Sequence, residues 1–97
     1  MRVRFEWDKK KFKANVNKHG VDFFEASTVF YDDYAYVAPD ASHSLGEFRY
    51  FILGQTSQGR LLNVSYTERG DVIRLISARE ATNAERKGYE EGKEIER

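Results

Sequence analysis

Residues 61–79 read LLNVSYTERGDVIRLISAR, and this stretch decides the fold of the chain. Apolar residues recur on both sides of a short polar segment, which is the pattern of two antiparallel strands joined by a hairpin turn. Residues 68–71 form the predicted turn, and a four-residue turn would pair Thr67 with Val72. The stretch therefore predicts a β-hairpin.

This register predicts that the hairpin has one apolar face and one polar face. The apolar face is the better candidate for the core, and it would carry Leu62, Val64, Tyr66, Ile73 and Leu75. Asn63 and Ser65 would lie beside Arg74 and Ile76 on the polar face. Because side chains alternate between the faces of a strand, an error of one residue in the register would exchange the two faces.

The flanking sequence predicts three helices and three further strands. Asp8 is suited to cap a first helix that ends at Gly20, and Asp22 opens a second helix. Short β-prone runs cover residues 3–7, 34–38 and 48–53, and a capping box at residues 82–85 begins the last helix. The predicted order is β-α-α-β-β-β-β-α, an α+β fold in which the four later strands form an antiparallel meander and helices cover one face of the sheet.

Composition limits the class of protein. The chain has 97 residues, and we interpret residues 1–97 as a single domain. It contains no cysteine, which excludes disulfides and a thiol nucleophile, and its scattered histidines and carboxylates predict no metal site and no cofactor. No apolar run approaches the roughly 20 residues of a membrane span, and the first residues lack the apolar run of a signal peptide. We therefore expect a cytoplasmic protein without membrane contact.

The charge balance bears on possible partners. Sixteen basic and sixteen acidic residues give a net charge of zero. Proteins that bind nucleic acid usually carry a basic excess, because cations release the counterions condensed on phosphates. Any such site in this chain must therefore be a local cluster of basic residues.

Beyond these patterns, the sequence resembles the BrnT family of toxins over about residues 5–91. The resemblance is carried by Phe5, Glu6, Trp7, Asp8, Asn15, Lys18, His19, Gly20, Val21, Phe23, Ala26, Phe30, Asp32, His43, Glu47, Arg49, Gly54, Gly59, Arg60, Leu61, Leu62, Tyr66, Thr67, Glu68, Arg69, Gly70, Ile73, Arg74, Ile76, Ser77, Ala78, Arg79, Ala81, Thr82, Glu85, Arg86 and Tyr89. Where the family often has a proline shortly after Asp32, this chain has Asp33 and Tyr34.

The resemblance implies a RelE-like fold, in which a twisted antiparallel sheet is packed against helices. It also implies an endoribonuclease that cleaves RNA without a metal and so stops translation. Such toxins are neutralised by a cognate antitoxin of the BrnA kind, which carries a ribbon-helix-helix segment. Operator DNA would be bound only through that antitoxin, and the complex would repress its own operon.

Metal-free RNA cleavage needs a base, cations at the phosphate and an acid for the leaving oxygen. Polar residues near the predicted element ends and on the polar face suit these tasks. We predict catalytic roles for Lys18, His19, Glu68 and Arg79, and RNA-binding roles for Arg69, Arg74, Arg86 and Tyr89. Arg79 and Arg86 would hold the scissile phosphate. Lys18 or Tyr89 would assist charge or proton transfer.

Glu68 or His19 would serve as the base in this scheme. Each candidate also has a simpler explanation: Glu68 lies in a turn that solvent would cover, and His19 suits the dipole at a helix C-terminus. The neutral net charge favours an alternative function, a binding module that contacts the antitoxin after its nuclease site has decayed.

Overall fold

The computed structural model describes residues 3–41 and 47–96, and His43 of the family resemblance lies outside them. The elements are β1 (Arg4–Trp7), α1 (Lys9–His19), α2 (Phe23–Ser27), a 3-10 turn (Thr28–Tyr31), β2 (Tyr36–Pro39), β3 (Tyr50–Gln55), β4 (Leu61–Arg69), β5 (Val72–Glu80) and α3 (Asn83–Glu96). This confirms the predicted order, with a 3-10 turn completing the second helix.

Local capping sets the helix boundaries, as the sequence predicted. The Asp8 carboxylate accepts a 2.7 Å hydrogen bond from the backbone N–H of Lys10 at the start of α1. Gly20 ends α1 with a φ of 66°, a left-handed conformation that favours glycine. Asp22 caps α2 by accepting a 2.7 Å hydrogen bond from the N–H of Glu25.

The five strands form one sheet in the order β1-β5-β4-β3-β2. Strands β2 to β5 form the predicted antiparallel meander. The first strand was not assigned a partner from the sequence, and it pairs in parallel with β5, so β1 and β2 are the two edges. The connection from β1 to β5 passes through α1, α2 and strands β2 to β4, and its length permits this parallel pairing.

The hairpin turn is shorter than predicted. Arg69 pairs with Val72 around a turn of two residues, in which Gly70 has a φ of 61°. Thr67 consequently pairs with Arg74 and not with Val72. The register error is two residues, so the predicted apolar and polar faces are nevertheless correct.

A β-bulge interrupts β5 beside this hairpin. Ser65 pairs with Ser77 and Tyr66 pairs with Leu75, which leaves Ile76 without a partner. The extra residue reverses the alternation of side chains along the strand. As a result, Arg79 lies on the same face as its partner Asn63, whereas uninterrupted alternation from Arg74 would turn it to the opposite face.

Helices cover both faces of the sheet, which corrects the prediction that they all pack on one face. The helices α1 and α2 cover the apolar face, and the core there consists of Val21, Phe23, Ala26, Val29, Ile52, Leu62, Val64, Tyr66, Leu75 and Ala78. The last helix, α3, packs Tyr89 against Leu53 and Leu61 on the other face. Because α3 reaches only one end of that face, the rest stays open.

We predict that Gly54→Ala destabilises the protein. A Cβ atom on Gly54 would lie 3.1 Å from the carbonyl oxygen of Val29 and 3.2 Å from the Cβ of Ala35. Crowding β3 against the 3-10 turn is expected to lower the free energy of unfolding by about 1–2 kcal/mol, as measured by urea denaturation. Gly88→Ala is the control, since a Cβ there meets nothing within 4 Å and removes a helical glycine. Equal destabilisation by both substitutions would contradict the prediction.

Candidate functional site

The open part of the polar face forms a cleft of about 360 Å³. Its walls come from β3, β4, β5, the start of α3 and the segment after β2, and they consist of Asp40, Arg49, Phe51, Asn63, Ser65, Ile76, Ser77, Arg79 and Glu85. We call this surface the open-face cleft. The bulge at Ile76 places Arg79 in it.

An ion pair between Arg79 and Glu85 closes one end of the cleft. The guanidinium donates two hydrogen bonds to the carboxylate, at 2.8 Å to Oε1 and 3.1 Å to Oε2. Asn63 donates a third, at 2.8 Å to Oε2. Glu85 also completes the capping box of α3, accepting from the N–H of Thr82 at 2.9 Å, while its own N–H donates to the Thr82 hydroxyl. This network connects β4, β5 and α3 at the site.

Both members of this pair are held in their charged forms. The hydrogen bonds from Arg79 lower the pKa of Glu85 to about 2 against the effect of burial, with help from Thr82 and Asn63. The same hydrogen bond to Glu85 raises the pKa of the Arg79 guanidinium. Arg79 thus presents a fixed positive charge that is already partly neutralised.

We predict a loss of stability in acid that depends on Glu85. Since its pKa is lower in the folded chain than the ordinary 4.5, its contribution is complete above about pH 4.5 and declines as the pH falls towards about 2. Unfolding free energies of the wild type and Glu85→Gln, measured from pH 6 down to pH 2, should therefore converge. A difference that stays constant over this range would contradict the assignment.

The remaining walls suit the binding of a phosphate. Arg49, just before β3, and Arg79 contribute two guanidinium groups, whose planar forks match phosphate oxygens. Ser65 and Ser77 face each other across β4 and β5 and supply hydroxyl groups between them. The cleft can therefore bind an anionic ester through charge-assisted hydrogen bonds.

Arg74 lies on the open face, but outside this cleft. Its guanidinium forms a 2.6 Å ion pair with Glu6 of β1. Arg79 lies five positions further along β5, which corresponds to at most roughly 16 Å of strand. A long ligand bound at Arg79 could therefore also contact Arg74 at a second point along its length.

Glu68 and Arg69 lie at the hairpin turn, at the far end of β4 from the Asn63–Arg79 pair. Both are exposed, and Arg69 forms a 3.4 Å ion pair with Glu47. Glu68 pairs with Ile73, on the face opposite to the cleft. The structure does not bring Glu68 together with Arg79.

Lys18 and His19 form the last turn of α1. That helix packs on β5 from the apolar side, so the sheet stands between these residues and the cleft. Lys18 is exposed and His19 is half-buried. Their sequence position near an element end did not predict the side of the sheet on which they lie.

Tyr89 and Arg86 have different environments on α3. Tyr89 is buried, and its hydroxyl donates a 2.5 Å hydrogen bond to Oδ2 of Asp32. Burial and this hydrogen bond raise the pKa of Tyr89 above its ordinary value. Burial opposes ionisation of Asp32, yet hydrogen bonds from the N–H of Gln55 and from Tyr89 lower its pKa. Arg86 is exposed, one residue after Glu85.

Sequence reasoning missed several residues of the cleft. Asp40, Arg49, Ser77 and Glu85 were not predicted as site residues, although Ser77 lies on the open face of β5 and Arg49 lies just before β3. The sequence did contain a signal for Arg49, because it lies two residues before Phe51. Side chains two residues apart along a strand point to the same face. Asn63 and Ser65 were correctly placed on the polar face.

Within residues 3–41 and 47–96, no three or more His, Asp or Glu side chains gather in a way that could hold a metal ion. None of the helices in these ranges is long and apolar enough to cross a membrane.

The fold and the cleft define a small α+β protein whose open sheet face carries a cleft lined by two arginines. The family model described as the ribonuclease toxin BrnT of type II toxin–antitoxin systems matches residues 7–85, and the chain belongs to this family. It is therefore a ribonuclease toxin whose class implies an RNA substrate and an antitoxin partner.

Comparison with solved structures supports the fold. The crystal structure of the Brucella abortus ribonuclease toxin BrnT has a TM-score of 0.66 to this chain at 24% identity. The alignment covers 84% of this chain and 100% of the Brucella chain. The α+β fold class is thereby confirmed. None of the curated protein sequences compared with this chain matches it.

Proposed function

We propose that the protein is a metal-independent endoribonuclease that binds the scissile phosphate of RNA in the open-face cleft and thereby inhibits translation. One observation carries this proposal: Arg49 and Arg79 line the same cleft, on either side of Ser65 and Ser77. Two arginines can neutralise the charge that develops on the phosphate oxygens without a metal ion. The family membership supports RNA as the ester.

The proposed reaction uses the ribose 2′-hydroxyl as the nucleophile. A base takes its proton, the 2′-oxygen forms a bond to phosphorus, and the bond from phosphorus to the 5′-oxygen breaks. The products are a 2′,3′-cyclic phosphate and a 5′-hydroxyl, which receives a proton from an acid or from water. Arg49 and Arg79 would hold the non-bridging oxygens during this transfer.

Glu85 is our candidate for the base. Its low pKa depends first on the hydrogen bonds from Arg79. When a phosphate engages the Arg79 guanidinium, the carboxylate loses donors, and its pKa rises towards the ordinary value. Substrate binding would in this way convert Glu85 from a positioning group for Arg79 into a stronger base.

The other predicted roles are assigned by location. Arg69, Arg74 and Arg86 would contact RNA beyond the scissile phosphate, since all three are exposed or half-exposed outside the cleft. The catalytic roles of Lys18, His19 and Glu68 and the RNA contact of Tyr89 stay predictions. Distance from Arg79, or burial, separates these four from the proposed reaction centre.

We propose a BrnA-like ribbon-helix-helix antitoxin as the partner. It would cover the cleft, neutralise the toxin in the cytoplasm, and repress the operon by binding the operator itself. Exposed apolar residues on the edge strand β2 support a protein contact there, because Tyr36 and Val37 are 60% and 50% exposed. A complementary strand or helix could bury them.

A second candidate function is a catalytically decayed module that only binds its antitoxin. The observation that favours it is the neutralisation of Arg79 by Glu85, together with the net charge of zero. Such a module would keep the fold and the antitoxin surface. It would not cleave RNA.

Induction of the chain alone in a bacterial host distinguishes the two functions. The ribonuclease predicts growth arrest with fragmented RNA, and co-expression of the antitoxin should restore growth. Purified protein should then cleave RNA equally well with and without EDTA. Normal growth and intact RNA at a normal level of folded protein would support the decayed module, and loss of cleavage in EDTA would contradict metal independence.

A further inference from the structure

The neutral net charge conceals an uneven distribution of charge. The helix α1 contains the five lysines Lys9, Lys10, Lys11, Lys13 and Lys18 and no acidic residue. The rest of the chain therefore carries an excess of five acidic residues. The largest local basic cluster of the sequence lies on α1, on the opposite side of the sheet from the open-face cleft.

An aromatic surface adjoins this basic helix. The side chains of Trp7, Phe12 and Phe24 contact one another, with ring centroids 5.0 Å apart for Trp7–Phe24 and 5.8 Å apart for Phe12–Phe24. Together with Lys9, Lys10 and Lys13 they line a depression of about 510 Å³, which we call the aromatic cup. Phe24 is 67% exposed, so a large apolar ring faces solvent inside a rim of lysines.

The exposed ring of Phe24, beside the half-buried rings of Trp7 and Phe12 and three lysines, is a combination that fits single-stranded nucleic acids. Bases stack on aromatic rings whatever their sequence, and flanking cations bind the phosphates. The substrate class of this family supplies such a ligand, because RNA is anionic and presents bases wherever it is unpaired. A solvated lysine face alone would not require the neighbouring Phe24 ring to be exposed.

We propose that the aromatic cup is a second RNA-binding surface, which holds an unpaired segment of the substrate away from the scissile phosphate. The proposal rests on the ribonuclease function for its ligand and not on any role of the cleft. The edge strand β1 lies between the cup and the open face of the sheet, since Trp7 lines the cup and Glu6 pairs with Arg74 on the open face. Binding at the cup would increase the affinity for long RNA without adding to the chemical step.

Trp7 provides a direct signal, because it is the single tryptophan of the chain. We would titrate the purified protein with short oligodeoxythymidine, which has no 2′-hydroxyl and cannot undergo the proposed reaction. Tryptophan fluorescence should change on binding. The double variant Lys10→Ala/Lys13→Ala should weaken the Kd about tenfold and reduce the slope of log K against log salt by about 1.4, as expected for two lost phosphate contacts.

The control variant Lys11→Ala/Lys87→Ala removes the same charge from exposed positions that do not line the cup. It should change the Kd for the oligonucleotide by less than about twofold if the lysines of the cup contact the phosphates directly. Phe24→Ala should weaken binding with an unchanged salt slope, since it removes stacking and no charge. These three results together would support the cup as the binding surface.

Equal effects of the two double variants, or no change in Trp7 fluorescence, would overturn the proposal. Fluorescence changes caused by polyglutamate but not by the oligonucleotide would also overturn it, and would indicate a surface for an acidic protein. The Arg79→Ala variant tests binding at the aromatic cup independently of the proposed reaction in the cleft. Oligonucleotide binding at the cup should persist in that variant, and a failure of RNA cleavage in the wild type would leave the binding result unaffected.

Discussion

Asn15→Ala is expected to lower the free energy of unfolding by about 3 kcal/mol, which is a large part of the stability of a domain of this size. The Asn15 amide is buried and makes three hydrogen bonds to the backbone. Its Nδ2 donates to the carbonyl oxygens of Val21 and Ala78, both at 2.8 Å, and its Oδ1 accepts from the N–H of Ala78 at 2.9 Å. Alanine would leave three buried polar groups without partners.

The position of Asn15 explains why the effect should be large. The edge strand β1 ends where Trp7 pairs with Leu75, and among the residues that the structure describes no strand pairs with the outer edge of β5 beyond that point. The amide of Asn15 replaces the missing strand by satisfying both backbone groups of Ala78. It thereby attaches α1 to the sheet.

Thermal and urea unfolding measure this effect. The midpoint of thermal unfolding should fall by about 15 °C in Asn15→Ala. Asn15→Asp should be similarly unstable, because a carboxylate cannot donate to the two carbonyl oxygens. Asn17→Ala, at an exposed position of the same helix, is the control and should stay close to the wild type. A change below about 1 kcal/mol in Asn15→Ala would contradict the assigned role.

The second large effect concerns activity: Arg79→Ala should reduce the rate of RNA cleavage at least about 100-fold. In our proposal this guanidinium binds the phosphate oxygens in the transition state, and a preorganised donor at that position contributes more than a surface charge. Arg79→Lys should recover only part of the rate, since an ammonium group lacks the planar fork. Single-turnover cleavage of a defined RNA measures both variants.

Loss of stability must be separated from loss of chemistry in this experiment. Arg79→Ala also removes an ion pair of a 42% exposed side chain, which is expected to cost at most about 1 kcal/mol. Arg4→Ala removes the same charge from the exposed ion pair with Asp71 and should cleave RNA normally. Unchanged cleavage by folded Arg79→Ala, or an equal loss in Arg4→Ala, would exclude Arg79 as the phosphate ligand.

Much of the fold is determined locally and was therefore predictable from the sequence. Caps at Asp8, Gly20 and Asp22 mark the helix boundaries because each depends on hydrogen bonds or dihedral angles within a few residues. The period of two in residues 61–79 identifies which side of the hairpin is buried. The prediction of the buried face is correct despite the error in turn length, because a shift of two residues leaves each side chain on the same face of the sheet.

The partners of the site residues depend on contacts between distant parts of the chain. Glu68 and Arg79 both lie near strand ends in the sequence, but Glu68 is beside the turn and Arg79 is at the opposite end of the same antiparallel hairpin. Similarly, nothing local indicates that α3 packs on the face opposite to α1. Proximity to an element end was therefore a poor guide to which residues act together.

The sequence by itself determined the order of the elements, the caps and the apolar face of the hairpin, because these follow from short-range hydrogen bonding and from alternation. Only the tertiary structure decided that Arg79 joins Arg49 and Glu85 in one cleft. The physical reason is the bulge at Ile76, which reverses the alternation of β5 and turns Arg79 to the open face. A bulge of one residue depends on how β4 and β5 pair across the sheet, and the pattern along either strand does not encode it.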